Sequence, residues 1–127
     1  MKKIIAALIF VSCSACAADF SARVNEGNQA IAAPDGKVYD ASLGPAIRAA
    51  MAACVPHGSA PTGKLGKFAL VGYVDASGRL TSIAVKPVTA VSRCFADNFG
   101  SAALPPPPSS SRWVNAYPVT VEMTVTE

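Results

Sequence analysis

The sequence has few of the residues that build catalytic centres. It contains one histidine, His57, and lacks the Gly-x-Ser-x-Gly motif that positions the nucleophile of many hydrolases. A triad of His57, Ser59 and a carboxylate such as Asp35 can be written, but catalysis needs an acid, a base and a nucleophile held together. We therefore predict no catalytic residue and no cofactor. A small secreted hydrolase that uses His57 remains an alternative.

The chain also lacks an apolar run long enough to span a bilayer, which takes about 20 residues. The apolar run Ile4–Val11 follows Lys2 and Lys3 and precedes small residues that include Ala15-Cys16-Ala17. This order of charge, apolar segment and Ala-x-Ala site is typical of a secretory signal peptide. We predict that residues 1–17 are removed on export and that the protein has no permanent membrane span.

The predicted compartment is periplasmic or extracellular. Two alternatives concern the same N-terminal residues. A lipoprotein signal would acylate Cys13 or Cys16 and make the chain an outer-membrane lipoprotein, although Phe10-Val11-Ser12 is a poor context for it. Residues 1–17 could instead form a core helix, but the flanking residues favour a signal peptide.

Neither sign of charge predominates once the signal peptide is removed. The full chain has 11 Lys and Arg against 8 Asp and Glu. Loss of Lys2 and Lys3 leaves 9 against 8 (11 − 2 = 9), a net charge of +1. This balance provides no basic patch, so we predict no nucleic-acid partner.

The mature chain keeps two of the four cysteines, Cys54 and Cys94. A pair of cysteines in an exported protein indicates a disulfide. A metal site at this pair is excluded by the lack of further ligands, because His57 is the only histidine and no Cys-x-x-Cys remains. We predict a disulfide between Cys54 and Cys94.

The hydrophobic pattern divides the mature chain into two parts. Residues 18–36 are polar and small and have no period, which predicts a flexible N-terminal arm. Residues 37–127 are predicted to form the folded domain. An amphipathic helix is predicted there from one apolar stripe, formed by Leu43, Ile47, Ala50, Met51 and Cys54. Asp40 or Ser42 is expected to cap this helix, with Pro45 in its first turn.

A hairpin and a second helix follow. Strands are predicted over Phe68–Val74 and Leu80–Val85, joined by a type I turn at Asp75-Ala76-Ser77-Gly78. The recurring apolar residues of Val91–Ala103 predict another amphipathic helix. The proline run Pro105–Pro108 prevents this helix from continuing.

The last segment, Val119–Thr126, alternates valine or methionine with threonine or glutamate. This alternation predicts a strand with one face on the core and one face in water. The order helix-strand-strand-helix-strand then predicts an α+β domain. It is expected to be a two-layer sandwich, in which two helices cover one face of a small three-stranded antiparallel sheet.

Three segments resemble the C-terminal domains of the TolA and TonB families. Val74–Ile83 is similar to their hairpin, Cys94–Ser109 to their second helix and its proline-rich exit, and Tyr117–Met123 to their closing strand. The resemblance covers residues 38–126 and implies a periplasmic domain that binds partner proteins by adding a strand to its sheet. The chain departs from the family because it lacks a membrane anchor and a stalk, and because Cys54 ends a helix instead of lying near the first strand.

The closing strand is the expected edge of the sheet, since edge strands present unpaired backbone groups to partners. We predict partner-binding residues along it and beside it: Thr120, Val121, Glu122, Met123, Thr124, Trp113 and Tyr117. Thr120, Glu122 and Thr124 are expected to face solvent, although the edge could simply be solvated. Trp113 and Tyr117 could anchor a partner or cap the core.

The predicted function is therefore an exported interaction domain of the cell envelope. Its partner is expected to be an envelope or periplasmic protein. A soluble inhibitor or immunity-type protein is the alternative in a different class, because it too would bind one protein without catalysis.

Overall fold

The computed structural model describes residues 14–54, 67–109, 113 and 115–124. These residues form four helices and three strands: α1 (Ser14–Ala32), α2 (Pro34–Ser42), α3 (Gly44–Cys54), β1 (Lys67–Val74), β2 (Leu80–Lys86), α4 (Ala90–Gly100) and β3 (Tyr117–Thr124). Of the predicted signal peptide, residues 1–13 lie outside this part of the chain and residues 14–17 belong to α1. Within the described ranges, no helix has both the length and the apolar character needed to cross a bilayer.

The segment before the predicted domain is helical. Residues 18–36, which the composition predicts to be a flexible arm, lie in α1 and in the first turn of α2. The composition did not indicate this helical course, because the contacts of α1 with the sheet are made by Arg23, Glu26 and Gly27. Charged and glycine residues give no hydrophobic period from which a helix could be recognised.

The helix predicted from the stripe that ends at Cys54 is confirmed as α3, but its start differs. Asp40 and Ser42, the predicted caps, lie in α2. The Ser42 hydroxyl donates to the carbonyl of Tyr39 at 2.5 Å and so bonds within α2. Pro34 occupies the start of α2, where its missing N–H has no cost.

The predicted hairpin is confirmed. β1 pairs antiparallel with β2, and the Asp75 carboxylate accepts hydrogen bonds from the backbone N–H groups of Ser77 and Arg79, both at 3.0 Å. The Ser77 hydroxyl, followed by these backbone donors, lowers the pKa of Asp75 below its usual value. Gly78 has a φ of +89°, which the turn requires and which glycine adopts without strain.

The predicted second helix is α4, and it ends at Gly100 instead of Ala103. Thr89 and Ser92 form a capping box at its start. After the helix, the N–H of Leu104 donates to the carbonyl of Gly78 at 3.3 Å. This hydrogen bond to the hairpin turn directs the chain away from the helix axis before the prolines begin.

The sheet is antiparallel, and its strand order is β2-β1-β3. One face carries the core: Phe68 of β1 packs edge-on against Phe95 of α4, with ring centroids 5.5 Å apart. Helix α3 lies beside α4, and a disulfide joins Cys54 to Cys94 with their Cα atoms 5.7 Å apart. The predicted α+β class, the three-stranded sheet, the layer of two helices and the disulfide are all confirmed.

Helix α1 lies on the opposite face. Val71 and Tyr73 point to that side of β1, and Thr120 shares it because it pairs with Val71. A Cβ on Gly27 would lie 2.6 Å from the Thr120 side chain, and the Tyr73 hydroxyl donates to the Glu26 carboxylate at 3.1 Å. The part of the sheet under α1 is therefore covered on both faces, so the predicted two-layer arrangement lacks a helix that the structure adds on the second face.

Candidate functional site: the outer edge of strand β3

The hydrogen-bond phase of the sheet determines which backbone groups of β3 point outward. The N–H of Asp75 donates to the carbonyl of Arg79 across the hairpin at 3.0 Å. Because backbone groups alternate sides along a strand, the preceding residue, Val74, points towards β3. Its partner there is Tyr117, and the β1–β3 register continues without a shift from this pair to Lys67 and Thr124.

Alternation along β3 then turns every second residue away from β1. The outward residues are Pro118, Thr120, Glu122 and Thr124, whereas Val119 and Val121 bond to β1. Proline at position 118 agrees with this phase, because a residue without an N–H is tolerated where that group would face outward.

The other edge of the sheet, β2, is irregular. Tyr73 pairs with Thr81 and Val71 with Ala84, so Ser82 and Ile83 form a bulge opposite one residue of β1. Ser82 has a φ of +54°. Together with Lys86 and Pro87 at the end of the strand, this bulge has the features that protect edges from pairing. β3 is the regular edge of the two.

Thr120 is not exposed to solvent as predicted. It is 6% exposed and lies under Gly27 of α1, and its Oγ1 has no hydrogen-bond partner among the described residues. Sequence alternation failed here because it cannot report a helix that packs on the second face. Glu122 and Thr124, beyond α1, are exposed as expected.

Val121 and Met123 point to the core face. Val121 is buried, and Met123 is half-buried against the core. Their side chains are thus held by the fold, so a partner would meet the backbone of this strand and the side chains of Glu122 and Thr124.

The two predicted aromatic residues lie on the core. Tyr117 is 3% exposed and packs edge-on against Tyr39, with ring centroids 5.1 Å apart. Trp113 is half-buried and packs against the core cluster. Both aromatic residues therefore cap the core, which is one of the two roles considered for them. Because Tyr117 is buried, its ring has no exposed surface that could anchor a partner.

A small pocket opens at the N-terminal half of this edge, between the end of α1 and α2. Its volume is about 10 Å³, and it is lined by Ile31, Tyr39, Asp40, Leu43, Tyr117, Pro118, Val119 and Thr120. That volume is roughly the space of one water molecule. The Tyr117 hydroxyl is buried and has no hydrogen-bond partner among the described residues, and burial, followed by the charges of Asp35 and Asp40, raises the pKa of Tyr117.

Sequence reasoning missed the residues by which α1 meets the sheet. Arg23, Glu26, Gly27 and Ala30 are spaced i, i+3, i+4 and i+7, which is one face of a helix. A search for helical spacing among small and charged residues, instead of apolar ones, would have found this face.

The triad that the alternative hydrolase would need lies partly outside the described residues. His57 and Ser59 lie in residues 55–66, outside the described part of the chain. Among the residues that are described, no three His, Cys, Asp or Glu side chains group closely enough to hold a metal ion.

Comparison with protein-family models, with characterised proteins and with solved structures finds no match to this chain. The class that the fold defines is a small disulfide-linked α+β domain. The resemblance to the TolA and TonB domains stays a prediction from the three quoted segments.

Proposed function

We propose that the chain is an exported interaction domain that binds another protein by accepting a β-strand along the outer edge of β3. The observation that carries the proposal is the position of β3 at a sheet edge with an unbroken register, while the β2 edge is bulged. Among the described residues, no backbone hydrogen bond joins β3 to a segment other than β1. Glu122 and Thr124 are exposed, which supports docking at their outward groups.

The chemistry of such docking is that of sheet extension. Glu122 and Thr124 each offer one outward N–H and one outward carbonyl. A partner strand satisfies these groups with its own backbone, which supplies affinity without a fixed sequence. The Glu122 carboxylate and the Thr124 hydroxyl then select among partner side chains, and the negative charge of Glu122 favours a basic residue opposite it.

The disulfide supports export. Disulfides persist in oxidising compartments and are rare in the reducing cytosol. The Cys54–Cys94 bond therefore agrees with a signal peptide at residues 1–17 and with a periplasmic or secreted protein. An envelope or periplasmic protein is the proposed partner, and we predict that the chain has no enzymatic activity.

The proposal is tested by removing one outward donor. Glu122→Pro deletes the outward N–H and leaves the ladder between Val121 and Leu70 in place. The mature protein is immobilised, proteins captured from a periplasmic extract are identified by mass spectrometry, and the partner is then titrated. We expect Glu122→Pro to weaken binding by about 1–3 kcal/mol, roughly 5- to 150-fold, because a partner carbonyl loses its donor.

Two control variants distinguish loss of a backbone donor from loss of the Glu122 side chain and from loss of the fold. Glu122→Ala removes the carboxylate and keeps the N–H, so it should bind more tightly than Glu122→Pro. Val121→Pro removes an inward N–H from the ladder with β1 and should lower the stability of the fold itself. Equal partner affinities for Glu122→Pro and Glu122→Ala, with both variants folded, would show that docking does not use this edge.

A further inference from the structure

Polar contacts made by Arg23, Glu26 and Tyr73 hold helix α1 on the sheet, and we call this set the polar latch. The guanidinium carbon of Arg23 lies 4.8 Å from the centroid of the Tyr73 ring. The same guanidinium donates to the carbonyl of Ser82, at the bulge of β2. The Tyr73 hydroxyl donates to Glu26 at 3.1 Å. Polar contacts near the surface exchange readily with water and therefore hold a helix less firmly than apolar burial does.

The interface under α1 is incompletely satisfied. Two buried polar atoms, Nε of Arg23 and Oγ1 of Thr120, have no hydrogen-bond partner among the described residues. A buried polar group without a partner loses its hydration and gains nothing in return. Closure of α1 over the sheet therefore carries a cost that opening would relieve.

Helix α1 buries few of its own apolar side chains, although Val71 on the sheet face that it covers is fully buried. Ala30 is the only buried hydrophobic residue among the described side chains of α1, whereas α4 buries Phe95 and Phe99 completely. Segments with few buried apolar contacts open at lower free energy than the core does. We therefore expect α1 to open at a lower free energy than α4 does.

The position of α1 relates this weak attachment to the edge of β3. Gly27 lies so close to Thr120 that a Cβ on Gly27 would be 2.9 Å from the Thr120 backbone nitrogen. The Thr120 N–H is one of the outward groups of the strand. With α1 in place, the outward-facing residues that are exposed within the described part of β3 are Glu122 and Thr124.

We infer that α1 is a reversible, autoinhibitory cover of the β3 edge, and that its opening extends the docking strand from Thr124 to Thr120. The inference rests on the proposed function, because a cover regulates docking only if the edge docks. Opening itself is a property of the free protein, so it can be measured without a partner.

Amide hydrogen exchange on the full mature protein tests the opening. In the wild type, we expect the amides of α1 and of Thr120 to exchange together, and at least about tenfold faster than those of α4. Gly27→Ala places a methyl group against Thr120 and should speed exchange at α1 and Thr120 by about tenfold more, with α4 unchanged.

Asn28→Ala is the matched control, because it raises helix propensity in the same way at an exposed neighbouring position. It should leave exchange at Thr120 unchanged or slow it. Arg23→Ala provides a second route to opening, because it removes the two latch contacts of Arg23, with the Tyr73 ring and the Ser82 carbonyl, without a new steric clash.

Exchange of α1 and α4 at one common rate in the wild type would overturn the inference, since α1 would then open only with the whole fold. Acceleration at all sites by Gly27→Ala, with no selective effect of Arg23→Ala, would overturn it as well. Either result leaves the Glu122→Pro test unaffected. Conversely, failure of that test would remove the docking function while the measured opening stood.

Discussion

At the scale of single residues, two tyrosines hold α2 against β3. The Tyr39 hydroxyl donates to the carbonyl of Pro105 at 2.8 Å, and its ring packs against Tyr117. Burial, followed by the charge on Tyr117, raises the pKa of Tyr39 to about 12. The burial of Tyr39 is not recognisable from the sequence, because a tyrosine in a polar segment gives no indication that its ring is buried, whereas capping of the core was one of the two roles considered for Tyr117.

This raised pKa predicts a loss of stability in alkali. The ordinary pKa of tyrosine is about 10, so the unfolded chain releases this proton at lower pH than the folded protein does. The stabilising contribution of neutral Tyr39 is complete below about pH 10 and is lost as the pH rises towards about 12. Denaturant unfolding at pH 7 and at pH 11.5 should therefore show a larger fall in the free energy of unfolding for the wild type than for Tyr39→Phe.

Tyr39→Phe should also cost about 1 kcal/mol at pH 7, because the hydrogen bond to Pro105 is lost while the ring packing remains. The loss from pH 7 to pH 11.5 must be smaller in the variant. If both proteins lose the same free energy over this interval, Tyr39 does not contribute to the alkaline transition.

At the scale of elements, the hairpin shows why some structure is predictable from local sequence. Asp75, Ser77 and Gly78 fix the turn by contacts within five residues of one another. Turn chemistry of this kind is encoded in consecutive residues. The turn has a second role that is not local, because the carbonyl of Gly78 accepts from Leu104 after α4.

Gly78→Ala tests both roles. A methyl group at this position would collide with the carbonyl of Leu104, and φ at +89° disfavours any residue with a Cβ. We expect a loss of at least about 2 kcal/mol in the free energy of unfolding, measured by denaturant titration with circular dichroism.

Gly44→Ala is the control for this substitution. At Gly44 a Cβ would meet the Arg48 guanidinium at 3.1 Å, and this flexible side chain can move. Alanine there should be neutral or stabilising, because it favours the helix. A similar loss in both variants would mean that the effect reflects glycine replacement in general and not the geometry of the turn.

At the scale of the whole molecule, the disulfide joins the two helices of the layer that covers the core face of the sheet. Cys54 ends α3 and Cys94 lies in α4, at a sequence separation of 40. Closing a loop of this length lowers the entropy of the unfolded chain and so raises its free energy by about 4 kcal/mol in the entropy model. For a domain of this size, that is a large part of a total stability of about 5–15 kcal/mol.

We expect reduction, or the double substitution Cys54→Ser with Cys94→Ser, to lower the free energy of unfolding by about 2–5 kcal/mol. The measurement is denaturant unfolding with and without reductant, with tryptophan fluorescence as the probe of unfolding. The double variant should not respond to reductant. A wild type with the same unfolding midpoint in both conditions would contradict a stabilising disulfide.

The sequence by itself determined α3, the hairpin, α4, the closing strand and the cysteine pairing. Each of these follows from apolar spacing, turn residues or cysteine count, which neighbouring positions encode. The tertiary structure decided the helical course of residues 18–36, the burial of Thr120 and Tyr117, and the end of α4 at Gly100. These features arise from contacts between segments far apart in the chain, made by small, charged and aromatic residues whose partners no local pattern can identify.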